Sequence, residues 1–127
     1  MPKTILVVDD DLYMHRLLKH HLERNGFAMI SANNGREAVE MATKEKPGLI
    51  IMDVMMGEMD GLTALKHLKK DDTTKGIPVI MITANAHYIT RQESEISGST
   101  SFLTKPFSPT QLLAQIRELI AQPEEKK

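Results

Sequence analysis

Three apolar runs without polar alternation punctuate the chain: Ile5-Leu6-Val7-Val8, Leu49-Ile50-Ile51-Met52 and Val79-Ile80-Met81-Ile82. A fourth, shorter run covers residues 101–104. Continuous apolar runs of this length suit strands covered on both faces, as in a parallel sheet. Between them the apolar residues return at helical spacing. Residues 12–25 predict a helix with Met14, Leu17, Leu18 and Leu22 on one face, Asp11 as N-cap and Gly26 as the stop. Residues 27–31 predict a weaker strand whose Ala and Ser content suits a sheet edge. Asn33 or Asn34 can cap a second helix with Ala38, Val39 and Ala42 inward. A third helix follows Gly61, with Leu62, Leu65 and Leu68 inward and Lys66, Lys69 and Lys70 on a solvated face; Asp60 has the spacing of its N-cap. Residues 71–76 form a polar turn. Residues 86–97 make a poor helix, interrupted by Thr90 and Ser94 and closed by Gly98. Ser108-Pro109-Thr110-Gln111 is a capping box with Pro at the first helical position, and it launches a helix carrying Leu112, Leu113, Ile116, Leu119 and Ile120.

The resulting alternation is a (βα)5 α/β domain over residues 1–122, followed by a charged tail over 123–127. A flavodoxin-like, doubly wound parallel sheet with strand order 2-1-3-4-5 accommodates it. In such sheets chemistry sits beyond the carboxyl ends of the strands. Here those ends deliver Asp9-Asp10-Asp11, Asp53, Thr83 and Lys105. The order places the first and third strands side by side, which brings Asp9, Asp10 and Asp53 together.

Composition narrows the chemistry. There is no cysteine, so disulfides, thiolate catalysis and Cys-ligated zinc are excluded, and a cytoplasmic location fits. A net charge of −1 gives no electrostatic reason to expect nucleic acid or an anionic membrane as partner. No apolar run approaches the ~20 residues of a membrane span, and the N-terminus lacks a signal-peptide core. Aromatic residues are only 4%, so Ile, Leu, Val and Met must fill the interior.

Three converging carboxylates repel one another and hold protons more tightly unless a cation relieves them. An all-oxygen donor set in an open site suits Mg²⁺ keeping several waters. With the Lys105 ammonium and the Thr83 hydroxyl added, the edge fits a phosphoryl group attacked in line by a carboxylate. Asp53, single and central, is the best nucleophile candidate; Asp9 and Asp10 are a pair suited to the metal. The triplet Asp9-Asp10-Asp11 alone is more often a helix cap with solvated charge, and it is the company of Asp53, Thr83 and Lys105 that reverses the reading. His15, His20, His21, His67 and His87 share no ligand spacing and are expected at the surface. Met55, Met56 and Met59 in the loop after Asp53 suit gap-filling, with a docking surface as the less economical use.

These pieces resemble, over nearly the whole length, the receiver domain of bacterial two-component response regulators. The resemblance is carried by Val8-Asp9-Asp10, the loop from Asp53 to Gly61, Ile82-Thr83-Ala84 and Phe102-Leu103-Thr104-Lys105-Pro106-Phe107. It implies a signalling switch rather than an enzyme acting on other molecules. Asp53 would accept a phosphoryl group from a phosphohistidine on a sensor histidine kinase or histidine phosphotransfer protein. Asp10 would bind Mg²⁺ directly, Asp9 mainly through water, and Asp53 and the Met55 carbonyl would complete the protein ligands. Lys105 would pair with the phosphoryl group. Thr83 would swing to it and Phe102 would turn inward, changing the surface of the fourth helix, fifth strand and fifth helix for a downstream target or output domain. Phe102 has no hydroxyl to satisfy when buried, so its inward state should be the easier one. A cis bond before Pro106 is also implied, and Met55 and Asn85 match the positions that tune dephosphorylation. One departure stands out: Gly57 occupies the place where the family usually has Pro, which puts the loop geometry in question.

Rival readings are weaker. An aspartate-nucleophile phosphatase of the haloacid-dehalogenase type would use Asp9, Asp11, Thr83 and Lys105, but no Asp follows Lys105 to supply its last acidic motif. An FMN binder would need Gly and hydroxyls where Asp9-Asp10-Asp11 would repel the phosphate. An interaction module independent of phosphorylation leaves the full set of site residues without a use. No DNA-binding or catalytic output domain is expected within these residues, so the chain reads as a stand-alone receiver or a piece of a longer protein.

Overall fold

The sheet has five parallel strands: β1 (Thr4–Val8), β2 (Ala28–Ala32), β3 (Leu49–Asp53), β4 (Val79–Thr83) and β5 (Ser101–Thr104). Their order is β2-β1-β3-β4-β5, so the expected doubly wound topology is what forms. The computed structural model describes residues 3–54, 61–83, 101–105 and 107–120, with the side chains of Leu62, Thr83 and Phe102 outside that description. Four helices belong to the described part: α1 (Leu12–Arg24), α2 (Gly35–Glu45), α3 (Gly61–Lys70) and the C-terminal helix (Pro109–Ile120). The helix expected over 86–97 with Gly98, the loop positions Met55, Met56, Gly57, Met59 and Asp60, Asn85, His87, Pro106 and the tail over 123–127 lie outside it. Among the described residues no helix is long and apolar enough to cross a membrane.

Two apolar layers sandwich the sheet, and strand periodicity sorts residues between them. Leu6 and Val8 of β1, Ile50 and Met52 of β3 and Val79 and Met81 of β4 pack with Ala38 and Ala42 of α2 and Ala64, Leu65 and Leu68 of α3. Their alternates pack on the opposite side. Ile5, Val7, Leu49, Ile51, Ile80, Ile82 and Leu103 meet Leu18 and Leu22 of α1 and Leu112, Leu113 and Ile116 of the C-terminal helix. β3, buried at every residue, occupies the middle of the sheet. β2 sits at the edge and is only partly buried, as its composition predicts. It starts one residue later than expected: Phe27 instead packs against the α1 layer and donates its N–H to the Leu22 carbonyl (3.0 Å).

Helix ends follow local rules. Asp11 caps α1 by accepting the Tyr13 N–H (2.9 Å). Gly26, at φ +88°, takes the left-handed position that ends the helix. Asn34 rather than Asn33 caps α2: its side chain accepts the Glu37 N–H (2.9 Å), while the Glu37 carboxylate accepts the Asn33 N–H (2.8 Å). Ser108 caps the C-terminal helix through the Gln111 N–H (3.3 Å).

Two positions read as solvated are not. Thr74, inside the polar turn, is buried and donates its hydroxyl to the Leu68 carbonyl (2.7 Å), satisfying a terminal acceptor of α3. Lys69 leaves the solvated face that Lys66 and Lys70 keep. Its ammonium donates to the Lys75 (3.0 Å) and Ile77 (2.8 Å) carbonyls, tying α3 to the segment that enters β4. Burial pulls the pKa of Lys69 down.

α3 can start where it does only because residue 61 is glycine. Its N–H donates to the Val54 carbonyl (2.9 Å), and a methyl group there would overlap the Asp53 carbonyl oxygen and lie 2.9 Å from the Val54 Cα. Those neighbours are backbone and cannot yield cheaply. Gly61→Ala is therefore expected to cost roughly 1–3 kcal/mol in denaturant unfolding. Gly76→Ala, with nothing within 4 Å of the added methyl, is the matched control, expected to be neutral or to stabilise by about 0.4–1 kcal/mol.

Candidate functional site

Register and alternation together build the site. Val8 pairs with Met52, so Asp9 emerges beside Asp53 at the carboxyl edge. Thr83 pairs with Thr104, which places Lys105 one step beyond the same edge. Asp9, Asp53 and Lys105 continue the alternation of Val7, Ile51 and Leu103, all of which belong to the α1 layer. The three side chains therefore leave the sheet on one side. In the same register Phe102 pairs with Met81. The side chains of both expected switch residues, and the Met55 carbonyl, lie outside the described residues.

The gathering is measured by one amine. Lys105 Nζ stands 3.0 Å from Asp53 Oδ2 and 3.3 Å from Asp9 Oδ2. The side chains of Asp9 and Asp53 are 5% and 9% exposed and that of Lys105 is 22% exposed, so these are ion pairs in a recess rather than on an open surface. Asp10, next in the chain, is exposed at the rim. Among the described residues no three His, Asp or Glu side chains come together as a metal cage. The acidic recess is thus two buried carboxylates with a third carboxylate on its edge.

Electrostatics in the recess are unbalanced. Burial raises the pKa of Asp9, the Asp11 N–H bonded to its Oδ1 (2.9 Å) lowers it, the Asp53 charge raises it and Lys105 lowers it; the outcome is a raised value. For Lys105, burial works downward, but the ion pairs with Asp53 and Asp9 prevail and its pKa is raised. Among the described residues, one ammonium shared between two buried carboxylates leaves negative charge in excess, and a hard cation or an incoming positive group would relieve it.

The main-chain support of Asp9 is complete. Its N–H donates to the Ala32 carbonyl (3.2 Å), and its own carbonyl lies 2.6 Å from His15 Nε2. His15 is 7% exposed, which corrects the expectation that all five histidines lie at the surface. A signal for this was present: residues 15, 18 and 22 share one helical face, and Leu18 and Leu22 are core. A histidine on an apolar stripe is buried with its stripe.

The chain matches the response regulator receiver domain family over residues 5–117. It is 36% identical over 124 residues to the alkaline phosphatase synthesis transcriptional regulatory protein PhoP of Bacillus subtilis, covering 98% of this chain and 51% of that protein. Identity to the transcriptional regulatory protein SrrA of Staphylococcus aureus is 38% over 120 residues, 94% of this chain and 48% of that protein. The chain thus spans about half the length of the curated relatives it matches. Among solved structures, the chemotaxis response regulator CheY4 of Vibrio cholerae superposes with a TM-score of 0.85 at 30% identity, covering 94% of this chain and 99% of that one.

A raised Asp9 pKa means that the folded state holds this proton more tightly than the unfolded chain, whose ordinary value is 3.8. Stability then falls as pH rises through the raised value, and at neutral pH the ionised carboxylate is a burden on the fold. With a chelator present, Asp9→Asn is expected to melt above wild type at pH 7. The advantage should vanish as pH falls to 3.8 and below. Lys105→Met, which removes the shared counter-charge, is expected to cost roughly 1–3 kcal/mol at pH 7 in denaturant unfolding, and adding Asp9→Asn should recover part of that loss.

Proposed function

The chain belongs to the response regulator receiver domain family, and from that premise we propose that it is a phosphorylation-dependent signalling switch with Asp53 as the phosphoryl acceptor. The observation that carries this reading is the Lys105 ammonium held at once by Asp53 and Asp9 at the carboxyl edge of the sheet. The donor is a phosphohistidine of a sensor histidine kinase or histidine phosphotransfer protein. A carboxylate oxygen of Asp53 attacks the phosphorus, the P–N bond to the donor imidazole breaks, and the imidazole takes up a proton as it leaves. An acyl phosphate on Asp53 results. Lys105 is already within ion-pair distance of the acceptor, so its charge offsets that of the phosphoryl oxygens without long-range rearrangement. Burial of Asp53 keeps competing water few.

The residues fit a magnesium ion. The donors are hard carboxylate oxygens, Asp9 and Asp53 converge on one shared ammonium with Asp10 beside them in the chain, and Mg²⁺ is commonly held by only one or two carboxylates plus water. Asp9, Asp10 and Asp53, with the Met55 carbonyl, are the proposed ligands. When bound, the ion supplies charge neutralisation for the phosphoryl oxygens. Thr83 and Phe102, on neighbouring strands β4 and β5, are the proposed switch pair. They would pass the state of Asp53 to a surface made by residues 86–97, β5 and the C-terminal helix, where a downstream target or output domain is recognised. The reading places the domain in the cytoplasm and gives it no direct contact with nucleic acid or membrane.

Acetyl phosphate with Mg²⁺ tests the acceptor directly. Wild type is expected to gain about 80 Da, one phosphoryl group, in intact mass, and the gain should be absent with chelator and in Asp53→Asn. An equal adduct on Asp53→Asn would refute the assignment, and sustained turnover of a generic phosphomonoester would favour a phosphatase instead.

A further inference from the structure

His15 stands at a position where the fold asks for an apolar residue. It shares the inward face of α1 with Leu18 and Leu22 and is as well buried as a core residue. Its two ring nitrogens fare differently. Nε2 lies 2.6 Å from the Asp9 carbonyl oxygen, and Nδ1 is buried without a hydrogen-bond partner. A carbonyl offers only lone pairs, so Nε2 carries the hydrogen and donates it. A leucine would fill the same place without burying an unpaired nitrogen. The unpaired Nδ1 is tolerated because Nε2 does something a leucine could not.

That contact closes the restraint of residue 9. Ala32 holds its N–H, the Asp11 N–H holds Oδ1 and Lys105 holds Oδ2. The carbonyl of residue 9 belongs to the peptide plane that leads into Asp10, and it points back toward α1, where helix side chains lean toward the N-terminus. Fixing that plane fixes the direction in which Asp10 leaves the chain. Among the described residues His15 is the side chain that does so.

We propose that His15 is a positioning residue: by donating from Nε2 to the Asp9 carbonyl it aims the Asp9 and Asp10 carboxylates at a common divalent cation. This rests on the proposed magnesium-dependent acceptor role. Outer partners that orient metal ligands have measurable effects on affinity though they never touch the ion. Because the neutral amide of Gln places its nitrogen near the position of Nε2, whereas that of Asn falls short, the two substitutions separate the hydrogen bond from mere polarity.

The test is a Mg²⁺ titration followed by amide chemical shifts in two-dimensional NMR, without phosphodonor, on wild type, His15→Leu, His15→Gln and His15→Asn, with melting temperatures for each. His15→Leu is expected to melt at or above wild type yet bind Mg²⁺ about tenfold more weakly, with His15→Gln restored to within about twofold and His15→Asn not restored. Phosphoryl uptake from acetyl phosphate should then shift in its magnesium dependence and keep its rate at saturating Mg²⁺. Wild-type affinity in His15→Leu, or equal affinities in the Gln and Asn variants, would overturn the proposal. Should His15→Leu fail to fold, the Gln and Asn pair decides alone. A wild type that neither binds Mg²⁺ nor takes up a phosphoryl group would instead overturn the functional reading on which the proposal rests.

Discussion

Two carboxylates buried side by side are tolerated in this fold because one ammonium lies between them. Neither Asp9 nor Asp53 could be sequestered from water alone at so small a cost, since an isolated buried charge loses its hydration with nothing in return. Lys105 compensates both, but incompletely. The raised pKa of Asp9 shows that burial and mutual repulsion outweigh what the amine and the Asp11 N–H give back. This residual imbalance leaves excess negative charge at the carboxyl edge of the sheet. A fully compensated cluster would have no demand for another cation, and an uncompensated one would unfold or take up a proton.

The rest of the structure can be understood as the apparatus that makes this imbalance reproducible. Parallel registry sets Asp9 beside Asp53, and the apolar layers on either side of the sheet leave the register no freedom to slip by a residue without turning core side chains toward the wrong layer. Gly61 lets α3 start against the end of β3, so the backbone of Asp53 is backed by a helix rather than by loop. At residue 9, His15 holds the main-chain carbonyl and Ala32 the N–H. Below the site, Thr74 and Lys69 close the distal end of α3 and fix the entry into β4. Nearly every polar group that is buried in the described chain is engaged in one of these supports.

Where the sequence reading assigned a polar residue to water wrongly, the reason was the same each time. His15, Thr74 and Lys69 are polar residues whose partners are main-chain carbonyls: for Lys69 and Thr74 six to eight residues away, for His15 six residues back across a helix start. No residue type announces a free carbonyl, so a pattern of side chains cannot foretell such a bond. A polar residue is then assigned to water by default. His15 was the most recoverable of the three, since its phase on α1 places it with Leu18 and Leu22. Lys69 carries no such hint: its neighbours Lys66 and Lys70 remain exposed, and only the path of the turn brings the Ile77 carbonyl within reach.

By itself the sequence determined the order of the described elements, the strand that would lie at the centre, and the residue types delivered to the carboxyl edge of the sheet. Each of these follows from local periodicity and from where an apolar run ends. The caps at Asp11 and Ser108 and the stop at Gly26 were legible for the same reason. Tertiary structure decided the rest: that Asp9 and Asp53 share one amine while Asp10 stays at the rim, and that the charge balance is left short. It did so because distances between groups on different strands depend on register and on which layer each residue faces, and a linear order of residues contains neither until the sheet is assembled.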